Sequence, residues 1–234
     1  QNSSEMELAV SENQWNSALK NIGEFFNENL GLIEITSGYY GLDQSSLAVV
    51  FENAGKIRIS GTEAAGFYSG DNFKNLTQGS IFLDHVTMNV RGTLENFGNI
   101  SIFGGAGSFN NGFGLWCDCA FENHGYMYLS ETLGTGFRIT GSNSLFNNSG
   151  QLHIMKNTEK SIEMSNGNFR NMPSGYVYTD SKLDGHEILN LGIFISDYKG
   201  NHSCDLENRG AFNDIHGALE GTANVINNGA IFDP

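Results

Sequence analysis

Basic residues are scarce in this chain, with 12 Lys and Arg against 26 Asp and Glu and a formal charge of −14. A surface of that sign repels a phosphate backbone, so nucleic acid is not an expected partner. Long apolar runs are also missing. No stretch approaches the roughly 20 apolar residues that cross a bilayer, and the few cations are not clustered beside an amphipathic segment, so no membrane span is expected. The signatures of chemistry are equally thin. There is no G-x-S-x-G, no H-E-x-x-H and no phosphate-binding glycine loop, and the six His are dispersed without metal-ligand spacing. Gly104, Gly105, Ala106 and Gly107 open like a calcium-binding nonapeptide, but Ser108 and Phe109 follow where an Asp ligand should stand. The expectation is a non-enzyme with no catalytic residue, no cofactor and no metal.

What the chain does have is glycine, asparagine and apolar rings. Gly occurs 30 times, and the 17 Phe outnumber the 2 Trp and 8 Tyr together, ample material for one continuous core in 234 residues. The rings and glycines recur in a fixed string. Phe51, Asn53, Gly55, Ile57 and Ile59 read apolar-x-Asn-x-Gly-x-apolar-x-apolar. The same string returns at Leu94/Asn96/Gly98, Phe121/Asn123/Gly125 and Phe146/Asn148/Gly150, and with two extra residues before the Gly at Phe73/Asn75/Gly79 and Phe169/Asn171/Gly175. Weaker copies surround Asn29, Asn190, Asn208 and Asn227. Taken in order, the ten asparagines step by 24, 22, 21, 27, 25, 23, 19, 18 and 19 residues, by subtraction of their numbers. A drifting period near 22 predicts an all-β fold, a single-stranded right-handed parallel β-helix of about ten coils with variable corners.

Within a unit the alternation at period two marks strand rather than helix, which turns Phe51, Asn53, Ile57 and Ile59 inward and Glu52, Lys56 and Arg58 outward. The Gly is expected at a corner with positive φ. An inward Asn must be satisfied, and stacking identical amides about 4.8 Å apart supplies partners. That predicts a buried ladder through Asn53, Asn75, Asn96, Asn123, Asn148 and Asn171. The alternative is that Asn only marks an exposed turn. Residues 1–26 break the pattern. Trp15, Leu19, Ile22 and Phe26 lie at helical spacing behind a Ser11/Gln14 capping box, which predicts an N-terminal cap segment ahead of a repeat domain at 27–234, with an irregular first coil as the alternative.

The same register stacks an unusually apolar outward column. Phe82, Tyr126, Tyr128, His153, Tyr176 and Tyr178 are its binding-face candidates, continued by Ile193, Ile195 and Phe232, where an inert face would carry charge. Either the rings contact a glycan or protein, or the polar inserts at 157–168 and 198–204 fold over them. Asp84 and His85 follow Ile81, Phe82 and Leu83 as in a pectate-lyase strand, but the register turns Asp84 outward, where a solvated pair is commonplace. Cys117 and Cys119 are expected as free, buried strand thiols. Cys204 lies too many coils away to pair with either in an uninterrupted stack, the alternative being that the insert at 198–204 folds back along it.

The string Phe-x-Asn-x-Gly-x-Ile-x-Ile, preceded by Leu32 to Ile35 and by Leu47 to Asn53, resembles the N-terminal domain of fungal hyphally regulated cell-wall adhesins. Bacterial haemagglutinin-type β-helices share much of it. The resemblance implies a secreted, N-glycosylated β-helix displayed on a wall or in an extracellular matrix, adhesive or structural, with a glycan or protein as partner and self-association into a fibre as the alternative. A polysaccharide-acting β-helix like the pectate lyases ranks third. An opening Gln1 is what removal of a signal peptide would leave, and Asn2, Asn75, Asn99, Asn147 and Asn201 are N-x-S/T acceptors.

Overall fold

The computed structural model describes residues 5–8, 17–20, 24–44, 50–70, 72–105, 112–217, 219 and 224–232. Each coil is built from three strand positions, as in Val50–Asn53, Lys56–Ser60 and Thr62–Ser69, after which Asn72–Asn75 begins the next turn. Like positions stack in parallel and nearly in register, so that Phe51 lies on Phe73, Ile57 on Ile81 and Phe67 on Met88. Among the described residues the strands that follow the repeat glycine form an 11-stranded sheet, while the other two positions merge into one of 17 strands. Toward the C-terminal end the two merge within a coil as well, as single long strands at Lys182–Asn190 and Ser203–Asn208. The chain is a parallel β-solenoid, and no helix occurs among the described residues.

The apolar positions of the repeat meet along the axis. Phe25, Phe51 and Phe73 stack at 4.8 and 5.0 Å between ring centroids, Phe146 and Phe169 stack at 5.2 Å, and Phe121 meets Phe146 edge-on at 5.0 Å. With Ile57, Ile59, Ile81, Leu83, Ile100, Ile102 and their equivalents they form one buried core running the length of the stack. Each coil adds the same apolar layer, so burial scales with coil number and each layer depends on its neighbours to stay dry.

Asparagine lines this core as a continuous ladder. Nδ2 of Asn27, Asn53, Asn75, Asn96, Asn123, Asn148, Asn171, Asn190 and Asn208 each donates to Oδ1 of the next, ending at Asn227, with distances of 2.7–2.9 Å. The second amide proton reaches backbone carbonyls beside the glycine, as from Asn148 to Tyr176 O at 3.1 Å. A primary amide has two donors and an acceptor, and at Asn148 all three are used. The ladder begins at Asn27 where the repeat suggested Asn29. Phe25/Asn27/Gly31 carries the same two-residue insertion as Phe73/Asn75/Gly79, and Asn29 lies in the exposed turn that the insertion creates.

The repeat glycines do not have positive φ. Their requirement is close approach: a Cβ on Gly98, Gly125, Gly150 or Gly210 would sit 2.1–2.2 Å from the glycine carbonyl of the preceding coil. That carbonyl accepts the next amide, as in Tyr126 N to Gly98 O at 2.9 Å. The left-handed residues instead stand at the far end of the post-glycine strand, where Gly61, His85, Gly104, Glu131 and Lys156 all have φ between 56 and 64°.

The helical cap does not form where the structure describes it. Glu5–Leu8 pairs with Leu32–Ile35, Ser17–Lys20 with Tyr40 to Asp43, and Phe25–Asn27 with Phe51–Asn53. Leu19 and Phe26 therefore lie on strands of the stack, where a neighbouring coil supplies every backbone partner that a helix would have found internally. Ser11, Gln14, Trp15 and Ile22 lie outside the described residues. Neither polar insert covers the outer face. Lys160–Met164 is a strand with Ile162 and Met164 in the core, and His202 and Cys204 are buried within their coil.

Candidate contact face

On the post-glycine sheet, residues at alternate positions point away from the core. Two of the outward columns carry the expected rings. In one, Glu34, Arg58, Phe82, Ser101, Tyr128, His153, Tyr178 and Ile195 follow each other from coil to coil. In the other, Asn99, Tyr126, Gln151, Tyr176 and Ile193 do the same. All six expected rings lie on these columns, and the structure brings them together. Phe82 meets Phe103 at 5.4 Å and Phe103 meets Tyr128 at 5.3 Å. Tyr126, His153 and Tyr176 follow at 5.5 and 5.4 Å, and Tyr178 stands 6.2 Å from His153.

Adjacent rings are tilted by about 30–43° against each other. The ridge offers tyrosine hydroxyls and apolar rings together. Phe82 is 40% exposed, the tyrosines and His153 are half-buried by one another, and no described segment lies across them. Packing alters their acidity. Burial raises the Tyr126 hydroxyl above the usual tyrosine value, with Tyr128 beside it, and depresses His153 below the usual histidine value. The Tyr178 hydroxyl is pushed up to about 12, first by desolvation and then by donating to Asp197 at 2.8 Å. At neutral pH these groups are uncharged, and the ridge is a neutral hydrogen-bonding stripe on an acidic molecule.

Phe103 belongs to the ridge and is missing from the expected set. It closes the strand Asn99–Phe103 on the same outward side as Ser101 and Asn99, so the alternation that singled out Phe82 also reaches it. At one end of the ridge Phe82 borders a concavity of about 410 Å³ lined by Glu34, Ile35, Arg58, Ile59, Ser60 and Asp84. Asp84 accepts from His85 at 2.7 Å at its rim, both groups largely solvated. Among the described residues no three His, Cys, Asp or Glu side chains converge as a metal site.

The ladder asparagines Asn53, Asn75, Asn96, Asn123, Asn148 and Asn171 are all fully buried. That removes Asn75 from the glycan acceptors, since its amide is spent on Asn96 and on the Gly79 and Asn99 carbonyls. Asn99 and Asn201 are exposed, Asn147 is half-buried and donates to Glu122 at 2.6 Å, and Asn2 lies outside the described residues. Cys117 and Cys119 are joined by a disulfide rather than standing as two thiols, with Cα atoms 5.1 Å apart. They straddle the corner between Leu115–Cys117 and Ala120–Asn123, where the chain folds tighter than an extended strand would allow. Cys204 is a buried free thiol whose acidity burial weakens, to a pKa of about 12.

A Ser-His pair also appears, and its geometry argues against nucleophilic use. His202 Nδ1 accepts the Leu183 amide at 3.1 Å, so the neutral ring carries its proton on Nε2 and donates it to Ser196 Oγ at 2.8 Å. A general base would need that nitrogen free to receive the serine proton. Both residues are wholly buried.

Comparison with protein-family models, with curated proteins and with solved structures finds no match to this chain.

Proposed function

We propose that the chain is an extracellular, non-catalytic β-solenoid, surface-structural or adhesive, that presents the ridge from Phe82 to Tyr178 to a glycan or protein of a cell surface or matrix. The observation that carries this reading is the uncovered run of rings. A contiguous apolar stripe left in solvent costs a protein solubility and persists where it has a partner. Two features support an extracellular setting: the Cys117–Cys119 disulfide, a bond that lasts in oxidising compartments, and the exposed sequons at Asn99 and Asn201.

The test is adhesion of the purified protein to surfaces coated with β-glucan, mannan, chitin or matrix protein. The quadruple variant Tyr126→Ser, Tyr128→Ser, Tyr176→Ser, Tyr178→Ser is expected to keep the wild-type thermal transition and lose adhesion. Loss of the transition would make the rings part of the fold, and retained adhesion would move the contact elsewhere. Turnover of polygalacturonate that Asp84→Ala abolishes would overturn the non-catalytic reading.

Self-association is the second reading. It is favoured by Ile193 and Phe232, 50% and 58% exposed, which extend the face with purely apolar groups better matched to protein than to sugar. Concentration-dependent sedimentation that the quadruple variant abolishes would put this reading first.

A further inference from the structure

The concavity beside Phe82 is a site of a different kind from the ridge. Opposite charges in register on neighbouring coils bridge at some positions of this molecule and not at others, Glu52 and Lys74 being in register without a bridge. Lys74 and Glu95 are in register and 3.1 Å apart, and Arg138 and Glu163 are in register and 3.3 Å apart. Glu34 and Arg58 are in register on neighbouring coils in the same way, yet they form no ion pair. Both line the concavity of about 410 Å³ together with Ser60, Asp84 and the exposed ring of Phe82. That volume falls in the range of about 300–1,000 Å³ typical of small-ligand pockets.

The chemistry of the lining narrows the occupant. Glu34 and Asp84 are acceptor-only groups, Arg58 is donor-only, and Ser60 can do either, so the walls alternate the two roles around one aromatic face. A sugar hydroxyl donates and accepts at once, and a pyranose ring has an apolar face to lay on Phe82. Charge decides against the acidic sugars. Two carboxylates face one guanidinium, on a chain of net charge −14, and a uronate would meet repulsion from both. We propose that Glu34, Arg58, Ser60, Phe82 and Asp84 form a binding subsite for one stretch of an uncharged polysaccharide. The proposal rests on the adhesive reading above and gives it a ligand class, with the groove as the specific contact at one end of the ridge.

The experiment is an amide-NMR titration of the wild-type chain with the hexasaccharides of β-1,3-glucan, mannan and chitin, with hexagalacturonate and hexalysine as charged controls. At least one neutral hexasaccharide is expected to give saturable shifts centred on the coils of Glu34, Arg58 and Phe82, with little change between low and high salt. Arg58→Ala and Glu34→Gln, both folded by their thermal transitions, are expected to weaken that binding by about tenfold, the loss of one hydrogen bond to a charged group. The quadruple tyrosine variant is expected to retain it. Binding that the tyrosine variant loses and Arg58→Ala keeps would leave the ridge reading standing and overturn the groove. Tighter binding of hexagalacturonate, or of hexalysine with steep salt dependence, would overturn the neutral-sugar assignment in favour of an anionic glycan or a basic protein. No response to any neutral hexasaccharide would overturn it outright.

Discussion

Asn147 and Asn148 are neighbours in sequence with opposite fates. Asn148 is fully buried, accepts from Asn123 at 2.7 Å and donates to Asn171 at 2.9 Å, while Asn147 is half-buried and reaches only Glu122. Asn148→Ala strands one donor and one acceptor in the core. It is expected to cost about 1–3 kcal/mol more than Asn147→Ala, read as the gap between their urea midpoints at unchanged slope. Equal midpoints would reduce the asparagines to turn formers. This much was legible in the sequence, because period-two alternation fixes which of two adjacent residues faces the core. What was not legible was the glycine's reason. Spacing places Gly125 at a turn, but only the neighbouring coil shows that a carbonyl rather than a backbone angle forbids a side chain there.

The corners between strands were the least predictable elements, since their geometry depends on which coil lies beneath. Leu19 and Phe26 kept helical spacing and still joined strands, because in-register partners at Leu42 and Glu52 outweigh a weak local preference. Cys117 and Cys119 looked like two residues on one strand face, about 6.6 Å apart if extended, until the corner closed them to 5.1 Å. The corner holding His202 carries a pH dependence. Burial pushes this histidine from 6.5 down to about 4, with Asp214 acting weakly to raise it and Lys182 to lower it. The unfolded chain therefore binds a proton that the folded one refuses between those values. The stability is fully present above pH 6.5 and is lost as pH falls toward 4, by about 3 kcal/mol for a shift of that size. Urea midpoints measured across this window are expected to fall with pH in the wild type and much less in His202→Gln. An equal slope in both would assign the acid sensitivity to other groups. Asp184, held below the usual aspartate value by Lys160 and Ser203 despite its burial, loses its contribution only at lower pH, outside that window.

At the scale of the molecule the ridge, the groove and the ladder all depend on one condition, that the coils stack without interruption in a single order. The repeat announced the stack and its outward column. The same alternation reaches Phe103, but it did not announce the groove, which needs residues from three coils at once. The three cysteines probe that order directly. Cys117, Ile139, Met164, Gly185 and Cys204 occupy one column in successive coils. Four steps of about 4.8 Å put Cys204 on the order of 20 Å from Cys117, far beyond the roughly 7 Å that a disulfide spans between Cα atoms. Non-reducing peptide mapping with a protease that cuts at Asp118 measures the arrangement. The account predicts two fragments held together through Cys117 and Cys119 until reduction, with Cys204 recovered as a free thiol. A peptide crosslinking Cys204 to Cys117 or Cys119 would contradict the coil order, and with it the contiguous face on which the proposed function stands.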